Sequence, residues 1–281
     1  MVRRDMADVP TTEDLLECLR RSGYLLECRL VAALQGLEHF VEPNSSYLDK
    51  TTGVSREIDI ITEQYRYDRS RAEARVCVKT TLIIEAVNNP LPAVLLTPVR
   101  FTPNTSEDDF IPFCITPAVE CLNHPFANEV HLPVEKAKTR GAVFSQFCGF
   151  TKKKSGGDLM ALHPEDLYGS LRKAVECALT LRDQSASWMD ASEDGYCRIF
   201  QWRPAVVLGG DLYVFEEDKL RSVRHAHLLF NFHFEGTARS VLIDVLTEPE
   251  LPILATRIAQ EDDELEGRLY ELIQSMLNGA E

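Results

Sequence analysis

The sequence predicts an α/β fold in which a mixed β-sheet is flanked by helices. Two observations support this prediction. Helix-like and strand-like segments alternate along the 281 residues in the order helix, strands, helix, strands, helix. The helix-like segments carry apolar residues at a period near 3.6, whereas Gly, Pro and Asn turn signals bound the strand-like ones. No repeat or low-complexity linker divides the chain, so we expect a single domain over residues 1–281.

The N-terminal segment predicts a short helix, a break and a longer helix. Thr12 is a suitable N-cap for the first helix, because a threonine hydroxyl can accept a bond from an unpaired backbone N–H. Gly23 interrupts the apolar period, which then restarts. The leucines at helical spacing are Leu15, Leu16, Leu19, Leu26, Leu30, Leu34 and Leu37.

Strand-like sequence follows from Val41 to Thr97, with turn signals at Pro43–Asn44 and Thr52–Gly53. The alternation of apolar and polar residues in this part is typical of strands. Residues 102–154 are mixed in character and predict no single element.

The C-terminal half predicts a helix, two hairpin-like strand pairs and a final helix. The first helix has Pro164 at its first position, and the strand pairs turn at Gly209–Asp211 and at Gly236. The last helix begins near Pro249. Its apolar stripe is Leu254, Ile258, Leu265, Leu269, Leu272 and Met276.

Composition and charge exclude several functional classes. No apolar run approaches the roughly 20 residues that span a bilayer, and the N-terminus lacks an apolar signal segment, so we expect a cytoplasmic protein.

The eight cysteines form no CxxC pair, which indicates reduced core residues rather than disulfides or a cysteine zinc site. A net charge of −14 disfavours nonspecific binding of nucleic acid over the whole surface, because the phosphate backbone is also negative. DNA contact would need local basic patches, for which the candidates are Arg66 to Arg75, Lys136 to Arg140 and Lys152 to Lys154.

Two carboxylates, Asp59 and Glu85, lie inside strand-like apolar sequence. Side chains of a strand alternate between faces, so the even-numbered apolar residues indicate the buried face and both acids share the other. If the strands pair antiparallel with Asp59 opposite Glu85, the turn is centred on Ala72, inside the polar segment Arg66 to Arg75. Opposed acids repel unless a cation lies between them, and a divalent cation with oxygen ligands would satisfy both. Acids on a solvated sheet face are the alternative interpretation.

From Gly23 to Pro98 the chain resembles the PD-(D/E)XK nucleases. The similarity rests on "REIDI", which contains Asp59, and on "LIIEAVNNP", which contains Glu85. It implies a restriction-endonuclease-like core over about residues 12–100, with an α+β C-terminal extension over about residues 101–281. It also implies an Mg²⁺- or Mn²⁺-dependent nuclease acting on DNA, with Asp59 and Glu85 as catalytic metal ligands. The resemblance places a third metal ligand at Glu27, for which an exposed helix acid is the alternative.

Position 87 departs from the family pattern, because Val87 stands where the Glu-x-Lys motif has its lysine. In the family that lysine positions or activates the attacking water. Lys79 has the correct parity but lies roughly 20 Å from Glu85 at about 3.3 Å per residue. Lys50 and the Lys152 to Lys154 run could reach the site only through tertiary folding. The sequence therefore also permits a catalytically inactive nuclease fold that serves as a nucleic-acid-binding or protein-interaction module.

Two further interpretations stay open. His225, His227 and His233 share strand parity and could bind a metal, although histidines on the polar face of a sheet explain the same pattern. The apolar stripe of the C-terminal helix would support a homodimer, whereas packing within the chain is the alternative. The C-terminal half is similar to bacterial proteins that carry this nuclease core.

Overall fold

The computed structural model describes residues 9–50, 52–66, 75–99, 110–116, 128–134, 136–137, 140, 142–152, 157–163, 165–188 and 196–278. Within these ranges the chain forms a large mixed β-sheet with helices packed on both faces, which confirms the α/β class. None of the described helices combines the length and the apolar character that a membrane span requires.

The helices are α1 (Thr12–Ser22), α2 (Tyr24–Gln35), α3 (residues 128–134), α4 (Glu165–Trp188) and α5 (Leu251–Asn278). The strands are β1 (Phe40–Leu48), β2 (Ser55–Arg66), β3 (Arg75–Val87), β4 (Ala93–Pro98), β5 (Phe113–Thr116), β6 (Val143–Lys152), β7 (Leu159–Leu162), β8 (Tyr196–Leu208), β9 (Leu212–Glu216), β10 (Lys219–Val223), β11 (His225–Phe234) and β12 (Thr237–Thr247).

The strand order in the sheet is β1-β2-β3-β8-β12-β11-β6-β4-β9-β10, with β5 paired to β8 and β7 paired to β6. Strands β1, β2 and β3 form an antiparallel meander. Strand β8 then lies parallel to β3 after a connection that contains α4. A parallel neighbour requires such a crossover, because a hairpin can only join antiparallel strands.

The break at Gly23 is as predicted, and this residue adopts φ 91°, which a glycine tolerates without strain. The N-cap of α1 is Thr11 rather than the predicted Thr12, which is already helical. Thr11 Oγ1 accepts the backbone N–H of Asp14 at 3.1 Å, and the Asp14 carboxylate accepts the backbone N–H of Thr11 at 2.8 Å.

The turn predicted at Pro43–Asn44 is wrong, because β1 continues through both residues. Asn44 has a φ of 53°, a left-handed conformation that asparagine tolerates better than most residues. The sequence signal therefore marks an irregularity within the strand. The signal at Thr52–Gly53 is correct and separates β1 from β2.

The register of β2 and β3 is the predicted one, with Ile60 opposite Ile84 and Thr62 opposite Leu82. The prediction that the acids lie on a face away from the core is wrong. Ile60, Leu82 and Ile84 pack against α2 and α5, while Ile83 on the other face packs against α4. The second face is buried at Ile83 and Glu85 of β3 and half-buried at Asp59 and Ile61 of β2, because helices cover both sides of the sheet.

The turn at Gly209–Asp211 does not form a hairpin between β8 and β9. Strand β9 instead pairs in parallel with β4 and antiparallel with β10. Gly210 allows a close crossing there, because a Cβ at this position would lie 2.6 Å from the carbonyl oxygen of Asn89. The hairpin at Gly236 is correct and joins β11 to β12.

Helix α4 begins at Glu165, and the predicted first position, Pro164, lies outside the described residues. Helix α5 follows a 3-10 turn that contains Pro249. Its apolar stripe packs within the chain from Leu254 to Leu272: Leu254 and Ile258 join the cluster beneath α2, and Leu265 and Leu269 join the cluster beneath α3. The side chain of Met276 lies outside the described residues.

Candidate functional site

Asp59 and Glu85 lie where β2 and β3 part. The backbone ladder between these strands runs from Arg66–Val78 to Ile60–Ile84 and stops there. Beyond it, Oδ2 of Asp59 accepts the backbone N–H of Ala86 at 2.7 Å, so a carboxylate takes the place of a backbone acceptor. The two acids thus meet at a gap between the strands, as the register predicts.

A lysine from a distant part of the chain completes this cluster. Nζ of Lys173, on α4, lies 2.7 Å from Oε1 of Glu85 and 3.8 Å from Oδ1 of Asp59. The Lys173 side chain remains 27% exposed, so its ammonium group can also reach solvent or a ligand. Sequence reasoning did not select Lys173, because nothing in the spacing of α4 indicates which helix face meets the two strands.

Helix α4 is held beside the strands by packing and by one hydrogen bond. Ala174, Cys177 and Ala178 pack on the buried cluster that contains Ile83. The hydroxyl of Tyr47 donates a hydrogen bond to the backbone carbonyl of Lys173 at 3.2 Å. These contacts hold the backbone of α4 in place at Lys173 and so position its side chain beside Glu85.

The pKa of Glu85 is raised to about 7, mainly because burial disfavours the carboxylate. The negative charge of Asp59 raises this pKa further, while Lys173 lowers it. Glu85 is almost fully buried, whereas the Asp59 side chain is 18% exposed. The site therefore presents one solvent-accessible carboxylate and one that gains a proton near neutral pH.

Glu27 is near the two acids but less closely tied to them. Burial raises the pKa of Glu27, and the charges of Asp59 and Glu57 raise it further. Among the described residues, Glu27 forms no ion pair with Lys173 or with any other cation. Its place on α2 and the influence of Asp59 keep it a candidate third ligand.

Of the other basic residues considered from sequence, those that the structure describes have no ion pair with the acids. Lys79 pairs with Glu63 at 2.6 Å, and Lys50 pairs with Asp183 at 2.8 Å. Lys152 is exposed on β6, and residues 153 and 154 lie outside the described ranges. Val87 is partly buried against the core on the α4 side of the sheet, the side that also carries Glu85.

The two acids suit a hard divalent cation. Among the described residues, Oε2 of Glu85 accepts no hydrogen bond, and Oδ1 of Asp59 has only the 3.8 Å contact with Lys173. Free carboxylate oxygens near a solvent-accessible gap are the donors that Mg²⁺ and Mn²⁺ prefer. The donor set therefore fits the metal that the resemblance implies.

The fold and this cluster define the chain as an α/β protein with a carboxylate–lysine site at a parting of two strands. Comparisons with protein-family models, with curated proteins and with solved structures find no match for the chain. Function must therefore be inferred from the site itself.

Proposed function

We propose that this protein is a divalent-metal-dependent phosphodiesterase that acts on DNA through a restriction-endonuclease-like core. The observation that carries the proposal is the convergence of Asp59, Glu85 and Lys173, which supplies from α4 the lysine that position 87 lacks. Two carboxylates and a lysine are the residue types that the resemblance requires at one point.

The arrangement of elements supports the same proposal. Helix α2 carries Glu27 and precedes a hairpin, β2 and β3, whose strands carry the two acids. The nuclease core that the chain resembles likewise has a helix, often with a glutamate, before the two strands that carry the metal-binding acids. Because α4 crosses over the sheet between β3 and β8, it passes directly above the acids.

The roles of the residues follow from their contacts. Asp59 and Glu85, with Glu27, would hold Mg²⁺ or Mn²⁺, which when bound offsets charge on the scissile phosphate. Lys173 holds the Glu85 carboxylate and can donate a hydrogen bond to a water or a phosphate oxygen beside it. Its partial exposure leaves donor capacity for a substrate, since an ammonium group carries three N–H bonds.

A catalytically inactive nuclease fold is the second candidate, and one observation favours it. Glu85 and Lys173 already form a short, largely buried ion pair that compensates charge without a metal. Such a pair can be purely structural. In that case the chain would act as a nucleic-acid-binding or protein-interaction module, with DNA contacts limited to local basic patches.

Cleavage assays separate the two candidates. Plasmid and single-stranded DNA are incubated with Mg²⁺ or Mn²⁺ and the wild type, Asp59→Ala, Lys173→Met, or the control Lys152→Gln, which changes an exposed lysine outside the site. We expect cleavage by the wild type and the control, and a loss of about 100-fold or more in the two site variants. Equal trace activity in all four proteins would refute the enzymatic proposal.

A rescue experiment tests the specific role of Lys173. Val87 lies on the same side of the sheet as Glu85, so a lysine at position 87 can approach the same carboxylate. We expect the double variant Lys173→Met with Val87→Lys to regain part of the activity that Lys173→Met loses. Activity of Lys173→Met equal to that of the wild type would show that the lysine has no catalytic part.

A further inference from the structure

A second cluster of ligand-type side chains lies on the opposite face of the sheet. His227 on β11 stands directly opposite Asp244 on β12, and His225 is two residues earlier on the same face. This face packs against α3 and α5, since Leu229 and Leu242 of the same two strands join the cluster with Val130. The Asp59–Glu85 site is on the α4 side.

The three side chains direct their donor atoms to one point. Nε2 of His225 lies 2.8 Å and Nδ1 of His227 lies 3.0 Å from Oδ1 of Asp244. All three atoms fall within 4.8 Å of one another. Ligand atoms around a tetrahedral zinc ion are separated by about 3.3 Å, given metal–ligand distances near 2.0 Å.

Hydrogen bonding leaves one of these atoms unaccounted for. His225 Nε2 makes a hydrogen bond to Asp244. Nδ1 of His227 is buried and, despite its 3.0 Å separation from the carboxylate, has no hydrogen bond of acceptable angle in the part of the chain described. A buried ring nitrogen without a properly directed partner costs free energy, which a metal–nitrogen bond would recover.

The surroundings orient the carboxylate for coordination. Nη2 of Arg203 lies 3.4 Å from Oδ2 of Asp244, which leaves Oδ1 for the two histidines. The Asp244 pKa is well below its usual range, with Arg203 and the two histidines stabilising the charged form against burial. In metal sites, a neighbouring residue that pairs with the ligating carboxylate, as Arg203 does here, holds that carboxylate in place.

A cavity lies beside the cluster. His227 borders a cavity of about 240 Å³ whose lining also includes Lys136, Arg140 and Arg257. Around the cluster, the charges of Arg203 and Arg257 balance those of Asp244 and Glu261, so a bound dication would leave an excess of positive charge. An anion or hydroxide in the open position, facing the cationic side of the cavity, would offset this excess.

We propose that His225 Nε2, His227 Nδ1 and Asp244 Oδ1 bind a divalent transition metal of the zinc class, with the fourth position open to the cavity. Two imidazoles and one carboxylate select zinc or cobalt over magnesium, which prefers oxygen ligands. A metal on Nε2 of His225 would leave a proton on its Nδ1. Nη2 of Arg257 lies 3.4 Å from that Nδ1, so the guanidinium would have to turn away. Glu261 can receive it, because its Oε1 already lies 3.8 Å from Arg257 Nε.

Titration with Zn²⁺ and Co²⁺ alone tests this site, with isothermal calorimetry as the readout. The variants are His227→Gln, His225→Gln and the matched control His233→Gln, which changes an exposed histidine of the same strand. We expect one zinc ion per chain in the wild type and in the control, and at least about 100-fold weaker binding in the two cluster variants. Circular dichroism checks that each variant is folded.

Optical spectra of the cobalt form identify the ligands. A histidine and carboxylate site gives visible d–d bands without a thiolate charge-transfer band, whereas binding at exposed Cys18 or Cys28 would produce one. The proposal is overturned if folded wild type takes up no zinc, if His227→Gln binds zinc as tightly as His233→Gln, or if the thiolate band appears. Because the readout is metal binding, it is independent of DNA cleavage.

Discussion

Glu85 is almost fully buried and has Asp59 as its negative neighbour, so its carboxyl group is poorly suited to carry a charge without help. Lys173 provides part of that help, yet the pKa of Glu85 is still raised to about 7. A carboxyl group with such a pKa is common where charge must change or a cation must bind. Ionisation of Glu85 therefore costs stability from neutral pH upward, and a bound cation would favour the ionised form.

The contribution of Glu85 to the free energy of unfolding should therefore fall as pH rises from about 4.5 to about 7, whereas His39 and His225, whose pKa values burial lowers, act in the opposite direction. The folded-state pKa of Glu85 is about 7 and its ordinary value is 4.5, so the folded protein binds more protons in this window. Buried Asp262, whose pKa is raised from 3.8 to about 7 mainly by burial, acts in the same direction. Urea unfolding of the wild type and of Glu85→Gln at several pH values measures the Glu85 contribution as the difference between the two curves.

Replacing Glu85 by glutamine should remove part of this penalty. We expect Glu85→Gln to raise the free energy of unfolding at pH 8 by about 1–2 kcal/mol and to have little effect at pH 4. The control Glu63→Gln removes a less buried carboxylate that pairs with Lys79, so it should not gain stability at pH 8. A loss of stability in Glu85→Gln at pH 8 would mean that the ion pair with Lys173 outweighs the cost of burial.

The sequence predicted some residues of the carboxylate–lysine site but not others. Asp59 and Glu85 could be paired from strand parity and from the polar sequence between the two strands, because both signals are local; the predicted turn centre, Ala72, lies outside the described residues. Lys173 could not, because its approach depends on how α4 crosses the sheet. Val87 stands where the resemblance would have a lysine, and the sequence does not indicate which residue could replace it.

Helix α4 is the element that turns two strand acids into a three-residue cluster. The hydroxyl of Tyr47 on β1 anchors the backbone of α4 at Lys173 itself. Because β1 also pairs with β2, this hydrogen bond links the strand meander to the helix that supplies the lysine.

Removing that anchor should weaken the site and, modestly, the fold. We expect Tyr47→Phe to lower the free energy of unfolding by about 1 kcal/mol, since the carbonyl of Lys173 loses one partner. It should also lower the rate of cleavage that we propose, while the control Tyr213→Phe, on β9 and without a hydrogen bond to another described side chain, should change neither. An unchanged cleavage rate in a destabilised Tyr47→Phe protein would show that this bond does not position Lys173.

Strand pairings could be predicted where the residues that determine them lie close together in the sequence. The hairpin of β11 and β12 and the register of β2 with β3 followed from turn residues and alternation. The predicted hairpin of β8 and β9 is wrong, because Gly209 and Gly210 indicate that the chain changes direction but not which strand pairs with β9. In this sheet the close approach of Gly210 to Asn89 sends β9 to β4 instead.

The whole molecule carries a net charge of −14, so only restricted surfaces can approach DNA. Of the predicted basic patches, Arg66 pairs with Asp263, whereas Lys136 and Arg140 line the cavity on the α5 side. The carboxylate–lysine site and the histidine cluster lie on opposite faces of one sheet, so they can be altered separately.

DNA binding should consequently show weak dependence on salt. With Ca²⁺ in place of Mg²⁺ to prevent cleavage, we expect the slope of log binding constant against log salt to correspond to no more than about 4 phosphate contacts. Fluorescence anisotropy with a short duplex between about 50 and 200 mM salt measures this slope. A slope near −10 would reveal an extended basic surface that the described residues do not provide.

The most direct test of the central claim is the position of Mn²⁺ in crystals of the protein, located by its anomalous scattering. We predict a peak within about 2.5 Å of carboxylate oxygens of Asp59 and Glu85, with Lys173 Nζ in hydrogen-bond reach of a water on the ion. The Asp59→Ala crystal should lack the peak. Wild-type crystals with Mn²⁺ bound elsewhere and none between Asp59 and Glu85 would contradict the proposed metal site.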